Sequence, residues 1–168
     1  MNNAKSFKGD SYVIIPKILS GELLDFVGIH AYNRARMEGV EKNPDGTIRD
    51  TQVPNTPSFY GDFVMETLQD FLLPKIESAT GMKLLPTYTF FRVYKAGDIL
   101  EKHKDRPSCE ISMTVCLRKK RNEKIWAIYA DNTDYKKEHN LGEGHTARVM
   151  LEEGDAMVYK GCEVEHWR

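Results

Sequence analysis

Residues 12–15 (YVII) form a short apolar run that stops at Pro16, the pattern of an opening strand. Ser20 then stands where a helix N-cap belongs. Leu23, Leu24, Phe26, Val27 and Ile29 follow it at a spacing that predicts a helix with one buried stripe. Residues 38–58 hold three prolines and two glycines among few large apolar side chains, which predicts a loop with a turn at Pro44-Asp45-Gly46. A second helix is expected from near Ser58, carrying Phe63, Val64, Leu68, Phe71, Leu72 and Ile76, with Pro74 as a kink point and Gly81 as its stop. After Gly81 the period shortens. Residues 87–94 (TYTFFRVY) are aromatic and β-branched, and 109–117 (CEISMTVCL) alternate, with Ile111, Met113, Val115 and Leu117 on one face and Ser112, Thr114 and Cys116 on the other. Segments 125–130, 147–151, 156–159 and 164–168 continue the series between polar turns such as Glu152-Glu153-Gly154-Asp155. Many short strands with turns between them point to a sandwich or barrel. The expected class is α+β, mainly β. Residues 1–168 form one domain in this reading, with 1–81 as helical support and loop and 82–168 as the β core.

Composition narrows the function classes. With 40% hydrophobic and 29% charged residues, the chain is that of a globular protein rather than a fibrous or disordered one. Its 24 Lys and Arg nearly balance 25 Asp and Glu, which argues against a dedicated nucleic-acid binder. No apolar run is long enough to span a membrane. The polar start MNNAKSFKGD lacks a signal core, and Cys109, Cys116 and Cys162 make no disulfide framework, so a cytoplasmic location is expected.

The candidate chemistry lies in the second half. In extended backbone, residues i and i+2 point to the same side about 6–7 Å apart, so His103 and Asp105 can converge on one ion. A His-x-Asp pair by itself equally describes a solvated loop. A third ligand must come from a distant strand, and His166 can supply it. Two imidazoles and one carboxylate on one face of a metal, with the other face open, is the arrangement of non-haem Fe(II) oxygenases. His30, His139 and His145 lie on an apolar helix or in a polar loop and are not expected to be ligands.

The ordered set FFRVYKAGDILEKHKDRPSCEISMTVCL and LEEGDAMVYKGCEVEHWR resembles the Fe(II)- and 2-oxoglutarate-dependent dioxygenases, in their prolyl 4-hydroxylase-like branch. The resemblance covers roughly 84–168, about half the chain. It implies a double-stranded β-helix (jelly roll) with His103, Asp105 and His166 as Fe(II) ligands at its mouth, 2-oxoglutarate and O₂ as cosubstrates, and ascorbate as an accessory. It makes Tyr94 a 2-oxoglutarate contact and places Thr114, Cys116 and Trp126 around the pocket; ordinary packing is the competing reading for all four. The implied substrate is prolyl or peptidyl, with other side chains and small molecules left open. Loop 38–58 is either a lid or a surface linker. Arg106 and residues 118–124 are either substrate contacts or solvated charges.

One feature departs from the family pattern. The family carries an Arg or Lys about nine or ten positions after the second His, paired with the distal carboxylate of 2-oxoglutarate. Here Arg168 follows His166 by two residues, on the same strand face and close to the metal. A longer native protein is therefore expected, with the anchor and a last core strand beyond residue 168 and no partner strand beside the 164–168 segment. A non-catalytic jelly-roll module with a degenerate site is the alternative from another class. A metal-dependent hydrolase would need a general base that the sequence does not offer.

Overall fold

The structure, a computed structural model, describes residues 3–37, 50–54, 56–119 and 126–168. The Pro44-Asp45-Gly46 turn, most of the 38–58 segment and most of the charged 118–124 stretch lie outside the described residues. The elements in chain order are α1 (Asn3–Asp10), β1 (Tyr12–Ile15), α2 (Gly21–Met37), β2 (Ser58–Tyr60), α3 (Phe63–Thr80), β3 (Phe90–Arg92), β4 (Ile111–Val115), β5 (Ile128–Asp131), α4 (Thr133–Glu138), β6 (Thr146–Val149), β7 (Ala156–Lys160) and β8 (Glu165–Trp167).

All strand pairs are antiparallel, which makes this a mixed fold of helices and mainly antiparallel sheet. One sheet runs β1-β7-β4, a second runs β6-β5-β8, and β2 and β3 form a separate ribbon. Strand β7 lies at the centre, and its side chains alternate between two cores. Ala156 and Val158 pack with Val13, Ile111, Met113 and Val115 against the helices through Phe7, Val27, Leu68, Leu72 and Ile76. Met157 and Tyr159 face the other way and pack with Tyr12, Ile14 and Cys116 against Ile128, Ala130, Val149 and Val164 of the second sheet. The layers are thus helices, sheet, sheet. A fully buried side chain such as Val158 stabilises this packing by roughly 1.5–3 kcal/mol.

The alternation expected along 109–117 is present, with the apolar face on the helical core and Cys116 turned to the inter-sheet core. The helical half differs in detail. In α2, Leu23, Phe26 and Ile29 are exposed, and Val27 and Ala31 are the residues that pack. Residues 58–60 are strand rather than helix, and α3 begins after Asp62, whose carboxylate accepts from the backbone N–H of Val64 and Met65. Helix α3 runs through Pro74 and ends at Gly81, whose φ of 72° is the left-handed conformation of a helix C-cap. Phe63 and Phe71 point outward.

Strand β8 is flanked on both sides, contrary to the expectation of a missing neighbour there. On one side it pairs with β5, so that His166 lies opposite Ala130. On the other, segment 100–103 runs antiparallel to it. Leu100 and Arg168 exchange backbone hydrogen bonds (2.8 and 3.0 Å), as do His103 and His166 (3.1 and 2.9 Å). The free edge in the described sheets belongs instead to β4.

Candidate metal centre

The pairing of 100–103 with β8 brings His103 and His166 side by side, their ring centroids 4.3 Å apart. Asp105 reaches the same point because its backbone N–H donates to the Gly161 carbonyl oxygen (2.8 Å), which pins the chain just beyond β7. Asp105 Oδ1 then lies 3.9 Å from His103 Nε2 and 3.5 Å from His166 Nε2. The ligand atoms of all three residues fall within 4.8 Å of one another. Donors held at about 2.1 Å by one ion are roughly 3–3.5 Å apart, so a small closure fits this set to a single cation.

The surrounding hydrogen bonds prepare the three side chains for a metal. His103 Nδ1 donates to the Glu101 carbonyl oxygen (2.8 Å), and His166 Nδ1 donates to that of Val164 (3.0 Å). A carbonyl only accepts, so each Nδ1 carries the proton and each neutral ring presents its Nε2 lone pair. Ser112 Oγ donates to Asp105 Oδ2 (2.6 Å), which leaves Oδ1 facing the imidazoles. Burial pushes the Asp105 carboxyl pKa up, but the facing His166 and the Ser112 hydroxyl outweigh it and hold the pKa below the ordinary value. The group is an anion at neutral pH, as a ligand must be. His166 is buried against the ring of Tyr159 (4.6 Å), whereas the side chains of His103 and Asp105 remain 22% and 20% exposed. One side of the triad is therefore closed by the core and the other opens to solvent. Two imidazoles, a carboxylate and an accessible face suit a divalent iron that must also bind other ligands.

Ser112, Tyr159 and Gly161 belong to this site, and sequence reasoning gave them no role. Gly161 is a matter of space: a Cβ there would collide with Asp105 Oδ2 and the Cys109 carbonyl oxygen. The one available signal was Ser112, a hydroxyl on the non-apolar face of an alternating strand. Thr114 shares that inner face of β4, in register with Met157. Tyr94 and Trp126 come together edge to face at 6.1 Å. The remaining histidines are engaged elsewhere. His30 bonds Asp62 (2.8 Å), His145 bonds the Tyr12 hydroxyl (3.2 Å), and His139 Nε2 lies 3.9 Å from a Glu163 oxygen.

The antiparallel sandwich with a His-x-Asp and a distant His between its sheets defines the class of fold. No protein-family model and no curated protein matches the sequence. Solved structures do match. A prolyl-4-hydroxylase from Pseudomonas putida superposes with a TM-score of 0.68 at 14% identity, covering 98% of this chain and 87% of that one. The non-haem α-ketoglutarate-dependent epimerase SnoN from nogalamycin biosynthesis superposes with a TM-score of 0.66 at 15% identity, covering 98% and 72%. The chain has the fold of these 2-oxoglutarate oxygenases. Among the described residues, no helix is long and apolar enough to cross a membrane.

Proposed function

We propose that the protein is an Fe(II)- and 2-oxoglutarate-dependent dioxygenase built on a double-stranded β-helix, and that it hydroxylates an unactivated C–H bond. The observation that carries this reading is the triad itself. His103 and His166 turn Nε2 inward because their Nδ1 protons are taken by backbone carbonyls, and Asp105 turns Oδ1 inward because Ser112 holds Oδ2. The likeness of fold to SnoN supports it. Bound iron supplies the oxidative decarboxylation of 2-oxoglutarate by O₂, giving succinate, CO₂ and a hydroxylated product. The chain's own part is to orient the three ligands, to exclude water on the His166 side, and to hold the substrate at the open side.

A prolyl or peptidyl substrate fits the surface beside the triad. Arg106, next to Asp105, lies over the ring of Tyr88 (4.7 Å), and Tyr88 stacks on the exposed Tyr60 (4.7 Å). Such an aromatic shelf suits extended, proline-containing chain, whose rings pack on flat aromatic faces. We assign Tyr94, Thr114 and Trp126 to the 2-oxoglutarate pocket, since Tyr94 and Trp126 adjoin each other and Thr114 lines the inner face of β4. Three unpaired cysteines favour the reducing cytoplasm.

The test is succinate release by the full-length protein supplied with Fe(II), ascorbate and 2-oxoglutarate, with proline-containing peptides added to seek stimulation. Turnover that disappears in Asp105→Ala supports the reading. A protein that neither binds nor consumes 2-oxoglutarate in the presence of Fe(II) refutes it.

A further inference from the structure

We infer that Arg168, on the strand that carries His166, is the cationic anchor for the distal carboxylate of the cosubstrate. This rests on the oxygenase reading above and names a residue for it. Strand alternation sets the direction. Trp167 lies on the outer side, stacked on Tyr129 at 5.3 Å with Lys102 over its ring. His166 lies on the inner side against Tyr159, and Arg168 returns to that inner side. The paired backbone of Leu100 fixes the Arg168 main chain. The long side chain carries its guanidinium away from the triad to the ring of Tyr94, 5.3 Å from the centroid. It therefore does not crowd the metal, as the two-residue spacing alone had suggested. Its charge is felt by the Cys116 thiol on the inner face of β4, across the space between the sheets.

The surroundings leave this cation without a counter-charge. Arg92, also beside Tyr94, is neutralised by Asp50. Arg118 has Asp25 at 3.6 Å. Among the described residues, no carboxylate lies within ion-pair distance of Arg168, although its side chain is half-buried. A sheltered guanidinium without an acidic partner, next to a phenol and the indole of Trp126, selects a carboxylate. Two residues of strand separate it from His166, about 6–7 Å along the backbone, with the reach of an Arg side chain added. That spacing suits a ligand with one acid end at the triad and a second acid at the far end of a short carbon chain. 2-Oxoglutarate has this form, and 2-oxopentanoate is the same molecule with a methyl group in place of the distal carboxylate.

The test uses anaerobic, Fe(II)-loaded full-length protein and measures equilibrium binding of both acids to wild type, Arg168→Ala and Arg168→Lys. Arg168→Ala is expected to weaken 2-oxoglutarate by about ten- to a hundredfold, the effect of losing charge-assisted hydrogen bonds. Binding of 2-oxopentanoate and of Fe(II) should not change, and Arg168→Lys should recover part of the loss. Equal 2-oxoglutarate affinity in wild type and Arg168→Ala would overturn the inference. So would an equal weakening of both acids, which would make Arg168 a structural support only. Both of those results leave the oxygenase reading standing. A wild-type protein that binds Fe(II) but not 2-oxoglutarate would overturn the oxygenase reading and this inference together.

Discussion

Replacing Gly161 with alanine perturbs the metal centre through space alone. A Cβ at this position would lie 2.8 Å from Ser112 Oγ, and closer still to Asp105 Oδ2 and the Cys109 carbonyl oxygen, where ordinary contact begins at 3.4 Å. Ser112 must then withdraw by at least about 0.6 Å and the carboxylate by more, against a tolerance of roughly 0.5 Å for a working constellation. The backbone cannot slide away freely. Gly161 N–H donates to the Glu110 carbonyl oxygen (3.0 Å), and the Gly161 carbonyl oxygen accepts from Asp105 (2.8 Å). Overpacking of this kind costs about 1–3 kcal/mol. At roughly 2–4 °C per kcal/mol for a chain of this size, the melting temperature should fall by about 2–12 °C. Displacement of the groups that orient a ligand typically weakens metal binding about 10–100-fold. The assay is a metal-free thermal melt, paired with an anaerobic Fe(II) titration against a competing chelator. Gly9→Ala serves as the control, because nothing lies within 4 Å of a Cβ there. Wild-type Fe(II) affinity in a folded Gly161→Ala protein would refute the claim that Asp105 is held by this packing.

Ser112→Ala removes the donor to Asp105 Oδ2 and should weaken Fe(II) binding about 10–100-fold in the same titration, while circular dichroism shows a folded chain. Phe7, 1% exposed, ties α1 to the core, and Phe7→Ala should cost about 3–5 kcal/mol by denaturant unfolding. Asp131 accepts from Thr133 N–H and from the Thr146 hydroxyl, and these bonds, with Lys102 nearby, lower its pKa to about 2. A depressed carboxylate stabilises the fold fully above its ordinary value of 3.8 and loses that contribution as pH falls toward 2. Asp131→Asn should therefore flatten the melting-temperature profile across that acid window, and an unchanged profile would contradict the assignment.

The sheets were legible because their pattern has one solution. In β4, only a period of two places Ile111, Met113 and Val115 together, and the buried face fixes which side they take. Helix α2 offered two apolar stripes. Leu23, Phe26 and Ile29 are the larger residues, yet Val27 and Ala31 are the ones that pack, because the close approach to the sheet favours small side chains. That choice is tertiary and leaves no mark on the period. Helices α1 and α4 each rest on a single buried aromatic, Phe7 and Tyr135, so neither shows any periodicity to read. The triad was legible through the two-residue spacing of His103 and Asp105 in extended chain. Ser112, Tyr159 and Gly161 were not, because they meet the ligands only after three separated segments come together.

The central claim is that His103, Asp105 and His166 hold one iron in a fold that is already built. Anaerobic titration of the metal-free protein with Fe(II), with binding stoichiometry and melting temperature read together, tests it most directly. The account predicts one Fe(II) per chain in wild type, no binding at the same concentrations in Asp105→Ala, and a metal-free wild-type protein that melts cooperatively. Binding that persists in Asp105→Ala would place the metal elsewhere. A chain that unfolds when its metal is removed would make the ion part of the fold rather than of the chemistry, contradicting the account.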